Sequence, residues 1–101
     1  MTKLLAAAAL ALIATTSMAS AHDRQGEIDR REMNQEWRIR QGIRSGEITR
    51  MEAWRLEAEQ ARIRQMERNA LRDGRIDPYE AARIREAQNA ASRHIYHEAH
   101  D

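Results

Sequence analysis

Histidines and carboxylates are the side chains in this sequence whose spacing suits chemistry. His94, His97 and His100 stand three apart near the C-terminus, and His22 stands far upstream. Residues three apart on a helix lie side by side, so His94 and His97 are spaced to share a zinc, nickel or copper ion, with Glu98 or Asp101 adding oxygen. The competing reading is electrostatic, because histidines near a helix C-terminus interact with its dipole and the surrounding water. No catalytic set accompanies them. The chain has no cysteine, which excludes thiol catalysis, thiolate metal sites and redox function. Nucleophile elbow, phosphate loop and paired-histidine zinc motif are all missing, and Ser45 and Ser92 lack a convincing base and orienting acid. The protein is therefore expected not to be an enzyme. Trp37 and Trp54 remain, either as a surface for a partner or as the largest pieces of a poor core.

The carboxylates belong to a repeat. Gly26-Glu27-Ile28-Asp29-Arg30-Arg31-Glu32, Gly46-Glu47-Ile48-Thr49-Arg50-Met51-Glu52 and Gly74-Arg75-Ile76-Asp77-Pro78-Tyr79-Glu80 share Gly, Ile, Asp or Thr, and Glu at fixed places. Glycine can take the left-handed backbone that closes a helix. Asp29, Thr49 and Asp77 are good N-caps, and Glu32, Glu52 and Glu80 three residues on complete a capping box each. Each Ile sits where a hydrophobic staple packs on the fourth helical residue, here Met33, Ala53 or Ala81, and Pro78 holds the favoured first helical position. The intervening residues are strong helix formers, so helices are predicted over 30–44, 50–72 and 78–97. In the third, Tyr79, Ile84, Ala87, Ala90, Ala91 and Ile95 share one face. In the second, Met51, Trp54, Ala58 and Ala61 form the stripe, with Leu56, Ile63 and Ala70 away from it, which suggests partners on two sides.

Asp73-Gly74-Arg75-Ile76-Asp77-Pro78-Tyr79-Glu80 resembles the second half of an EF-hand loop, with its Asp, Gly, inward Ile, further oxygen residue and closing Glu in order. That resemblance implies calcium held by Asp73, Asp77 and Glu80, by the Arg75 carbonyl, and by Asn69 at the loop's start. Leu71 stands where the family places an oxygen, and Asn69 where it places Asp. The earlier copies match less well: Ser45, Thr49 and Glu52 follow Gln41 and Ile43, while Asp23, Asp29 and Glu32 surround Gly26. Capping accounts for the same Gly, Ile, Asp/Thr and Glu without an ion, leaving only Asp73 over. Over its length beyond residue 21 the chain is similar to small exported bacterial proteins with Ser-Gly-Glu-Ile-Thr and a Ser-Arg-x-Ile-Tyr-x-x-x-His-Asp ending. Here that ending is carried by Ser92, Arg93, Ile95, Tyr96, His100 and Asp101. Ile48-Thr49-Arg50-Met51-Glu52 is also a near miss to the Leu-Thr-x-x-Gln helix starts of Spy-type periplasmic chaperones.

The N-terminal segment bounds location. Lys3, eleven apolar residues at 4–14 and Ala19-Ser20-Ala21 read as a secretory signal, residues 1–21, cleaved before His22. The apolar run is about half of the roughly 20 residues a membrane helix needs, so no stable membrane insertion is expected after cleavage. Residues 22–101 then form one small domain, periplasmic or secreted. Sixteen arginines face sixteen acidic residues there with mixed signs along the chain, which gives no footprint for nucleic acid. Arginine without lysine also suits phosphate or carboxylate recognition through its planar fork, with codon bias as the blander cause. Only seventeen large apolar side chains remain, without Phe or Val, so a partner, a metal or a second copy is expected to add stability. The reading is an all-α protein of two to three short helices joined by EF-hand-like turns, a binding protein holding calcium weakly or having lost it. Its rivals are a protein-interaction or Spy-like chaperone module facing another envelope protein or itself, and transition-metal binding through the C-terminal histidines.

Overall fold

The second and third Gly-to-Glu segments start helices by the mechanism their residues dictate. Gly46 and Gly74 take left-handed backbone, with φ of 81° and 101°. After the first of them, the Thr49 hydroxyl accepts from Glu52 N–H at 3.2 Å while Glu52 Oε1 accepts from Thr49 N–H at 2.8 Å. After the second, Asp77 Oδ1 accepts from Glu80 N–H at 2.7 Å and Glu80 Oε1 from Asp77 N–H at 3.0 Å. Both capping boxes close, and the staple residues Ile48 with Ala53 and Ile76 with Ala81 are buried.

The computed structural model describes the backbone of residues 2–100 and the side chains of 21–100. Helix α1 is Thr2–Ser45, α2 is Arg50–Ala70 and α3 is Pro78–His100, with a short 3-10 turn at Leu71–Asp73; among the described residues there is no strand. The fold is all-α, with three helices. No described helix is long and apolar enough to cross a membrane. The expected signal segment carries no described side chain before Ala21, so the cleavage expectation lies outside the described residues.

The first copy behaves differently from its sequence expectation. Gly26 lies inside α1, and Asp29 is an interior helical residue with no cap to form. The reason is packing: Ile28 is buried in the same cluster as Ile63, Ile76 and Ile84, and Gln88 Nε2 donates to the Ile28 carbonyl at 3.1 Å. Holding that side chain on the helix outweighs the roughly 1 kcal/mol by which an interior glycine disfavours helix. Met33, the expected staple partner of Ile28, is exposed.

Long-range bonds fix the arrangement. Arg24 to Ile76, Gln35 to Gln88 and Arg38 to Ser92 rise together along α1 and α3, which makes these helices parallel. Arg64 meets Glu36 and Glu32, and Gln60 meets Gln35, so α2 runs antiparallel to both, packed beside an α1–α3 pair that is itself in direct contact. At the α1–α2 turn the chain doubles back tightly: Ile48 N–H donates to Gly42 O at 3.0 Å, and a Cβ on Gly42 would collide with the Ile48 side chain.

The buried positions of α2 are Ala53, Leu56, Gln60, Ile63 and Ala70, and those of α3 are Ala81, Ile84, Gln88, Ala91 and Ile95. Steps of three and four between them, with one of seven from Ile63 to Ala70, are the heptad seam of helices packed nearly in line. On α2 this reverses the sequence expectation. Leu56, Ile63 and Ala70 form the core face, and the Met51, Trp54, Ala58, Ala61 stripe is exposed. Burying the branched residues against two helices at once is worth about 2 kcal/mol apiece. The Met-Trp stripe contains two alanines and faces no third helix. Tyr79 likewise lies outside the α3 core face that Ile84, Ala91 and Ile95 define.

Two clusters make the core. One gathers Ile28, Ile63, Ala70, Ile76, Ala81, Ile84 and Ala91, and the other Ile39, Ile48, Ala53, Leu56 and Ile95. Gln35 and Gln60 stand between them on α1 and α2 with Gln88 opposite, each about 1% exposed. Gln60 Nε2 donates to Gln35 Oε1 at 2.9 Å, Gln35 Nε2 to the backbone carbonyl of Gln88 at 2.8 Å and Gln88 Nε2 to the backbone carbonyl of Ile28, while Gln60 Oε1 receives no hydrogen bond. Buried amides demand such partners, so the layer sets which residues of the three helices lie level.

Candidate functional site

At the third turn the calcium-like residues are already occupied by local structure. Asp77 and Glu80 hold each other's backbone N–H groups, as above. Asn69 lies in the last turn of α2, where its Oδ1 accepts from Gln65 Nε2 at 3.1 Å. Asp73 falls in the 3-10 turn and is exposed, as is Arg75. Asn69 and Glu80 do share a hollow of about 170 Å³, but Arg83 lines it too, and its positive charge disfavours a cation there. The carboxylates of Asp73, Asp77 and Glu80 do not gather within 4.8 Å of one another.

His94 and His97 have different surroundings. His94 Nδ1 lies 2.9 Å from Glu59 across the α2–α3 seam, whereas His97 lines an open hollow with arginines. Tyr96 organises the end of α3, with its ring edge-on to His97 and stacked on His100 at 4.0 Å; His100 Nδ1 meets the Tyr96 carbonyl at 2.7 Å.

Three carboxylates that do come together are Asp29, Glu32 and Glu67, with oxygens within 4.8 Å. Two of them belong to the first repeat copy; Glu67 is the member that spacing along the chain did not suggest. It follows Ile63 by four on the heptad seam, which is the signal that could have found it. Glu67 Oε1 is buried and receives no hydrogen bond. Burial, and then the charge and carboxyl of Glu32, push Glu67 up from the ordinary carboxylate range to about 7. Nearly three turns earlier on α2, burial and the neighbouring Glu36 raise Glu57 as well. Arg64 stands 3.7 Å from Glu32 and 3.4 Å from Glu36, offsetting part of this repulsion. Acidic side chains gather in this way without an ion, and a shared proton serves the Glu32–Glu67 contact chemically.

The most extended feature is apolar. Trp37 is 55% and Trp54 69% exposed, which removes both from the core. Met33 and Trp37, four apart on α1, line an open groove of about 810 Å³ together with Asp29, Glu32, Glu36 and Arg40. Trp54 stands on the uncovered α2 stripe with Met51, Ala58 and Ala61. Ile43 is also exposed. No family model, curated protein or solved structure matches the chain.

Proposed function

We propose that the protein is an exported helical binding module that holds apolar stretches of another polypeptide against its tryptophan-bearing surface. The observation that carries this reading is the outward placement of both tryptophans in a chain with so few large apolar residues. A bundle that closes its core with Ile, Leu and Ala, and leaves its largest side chains in water, has those side chains available for something else. Trp and Met suit such a surface because they offer wide, adaptable apolar contact. The envelope location follows from the signal-like N-terminus. The resemblance of the Thr49 helix start to that of Spy-type chaperones points the same way.

Titration of the purified protein with a soluble, permanently unfolded apolar polypeptide, followed by tryptophan fluorescence, tests the reading. A saturable spectral change is expected, and Trp37→Ala with Trp54→Ala, which leaves no tryptophan and is therefore followed by titration calorimetry, should lose binding while shifting stability by no more than about 0.5 kcal/mol, as surface substitutions do. Unchanged fluorescence, or undiminished binding by the double variant, contradicts the proposal. Doubling of the mass with concentration and no polypeptide binding would replace it with self-association. A saturable rise in melting temperature with calcium alone would restore the ion-binding reading of the third turn.

A further inference from the structure

Sixteen arginines and sixteen acidic residues follow residue 21, yet the pairing is uneven. Between α1 and α3 an open hollow of about 410 Å³ is lined by Arg31, Arg38, Asn89, Ser92, Arg93, Tyr96 and His97, and by no carboxylate. Elsewhere arginines at helix seams meet acids: Arg64 meets Glu32 and Glu36, and Arg85 meets Glu27. Here Arg38 Nη1 donates to Ser92 Oγ at 2.7 Å and Nη2 to the Ser92 carbonyl at 3.2 Å, which orients its guanidinium across the seam. Arg31 and Arg93 make no ion pair among the described residues. Three like charges on one hollow repel one another, and two of them keep their full set of donors.

We propose that this hollow is a binding site for a phosphate-class oxyanion. Arg31 and Arg93 would each turn a planar fork on the anion, with the Asn89 amide and the free hydroxyl hydrogen of Ser92 as neutral donors. Two forks reaching one ligand from separate helices suit the several oxygens of a phosphate better than the two of a carboxylate. Tyr96, held by its stack on His100, forms an aromatic wall beside the anion. Ser92, Arg93 and Tyr96 are also residues of the C-terminal Ser-Arg-x-Ile-Tyr segment, to which neither helix capping nor the tryptophan surface gives a role.

Calorimetric titration of the full protein with inorganic phosphate, at constant ionic strength and neutral pH, is the test. Saturable binding is expected, with acetate weaker. Arg31→Gln combined with Arg93→Gln should weaken it about tenfold or more, the loss of two charge-assisted pairs. These side chains bond to nothing among the described residues, so the variant should keep its far-UV circular dichroism. Arg85→Gln, which removes an arginine outside the hollow, should bind as the unaltered protein does. Absence of saturation up to about 10 mM phosphate overturns the proposal, as does equal affinity in the double variant or an equal loss in Arg85→Gln. Vesicles of phosphatidylglycerol against phosphatidylcholine separate the sources. Binding to the former that free phosphate displaces assigns the site to a lipid headgroup, and phosphate binding without vesicle binding assigns it to a soluble phosphate. Vesicle binding that the double variant retains counts against the site.

Discussion

Glu67 occupies a place on the α2 seam where Leu56 and Ile63 bury branched carbons. Its carboxyl faces Glu32 and Asp29 from α1, and from α2 itself Arg64 and Arg68; no titratable group of α3 lines the small hollow beside it. With every carboxylate ionised, buried Glu67 Oε1 has no donor, whereas one proton shared with Glu32 supplies it. Unfolding returns Glu67 to its ordinary value near 4.5, below the value of about 7 it holds when folded. Its protonation therefore stabilises the fold fully below about pH 4.5, and that contribution disappears as pH rises through about 7. Thermal melts at fixed ionic strength should show the melting temperature falling from pH 5 to pH 8 by on the order of a few degrees. In Glu67→Gln this decline should be much reduced and the pH 8 value raised. A decline of the same size in Glu67→Gln would contradict the shared proton. Glu52 has the opposite sign: the Glu98 side chain and then the Thr49 cap lower it, so its contribution is lost only as pH falls below 4.5.

At the scale of elements, one seven-residue pattern does two different things. After Gly46 and Gly74 it stops one helix and starts the next, and after Gly26 it is plain helix. Gly26→Ala should accordingly raise stability by about 0.5–1 kcal/mol, since only the flexible tip of Arg30 lies near the added methyl. Gly74→Ala should lower it by about 1 kcal/mol or more, because φ there is left-handed. Chemical denaturation of the two variants checks both signs, and destabilisation by Gly26→Ala would mean that the first copy is a turn after all. The capping residues of the second and third copies were legible in the sequence because capping is local: Thr49 with Glu52 and Asp77 with Glu80 need no third element. The fate of the first copy was not legible. It depends on Ile28 meeting Ile76 and Gln88, about 50 and 60 residues away. The face of α2 was misread for a related reason. Side-chain size favoured the stripe with Trp54, and only the company of two other helices makes Leu56, Ile63 and Ala70 the core.

For the whole molecule, the low count of large apolar residues reads differently once the helices are assembled. The sequence suggested a core that needs help from a metal, a partner or a second copy. The structure closes a narrow heptad core with isoleucine, alanine and a joined glutamine layer, and places both tryptophans outside it. The candidate sites divide in the same way. Each expected ligand residue was identifiable by type, but whether carboxylates or arginines converge is decided by which helix faces meet. Asp29, Glu32 and Glu67 come together, and so do Arg31, Arg38 and Arg93, while Asp73, Asp77 and Glu80 do not.

The outward tryptophans carry the functional account, and acrylamide quenching of single-tryptophan variants of the folded protein reads them directly. Trp37 alone and Trp54 alone should each be quenched nearly as readily as the same residue in denaturant, at protein concentrations where the mass is that of one chain. An indole shielded from acrylamide in that folded monomer would place it in the core, and the proposed binding surface would lose its basis.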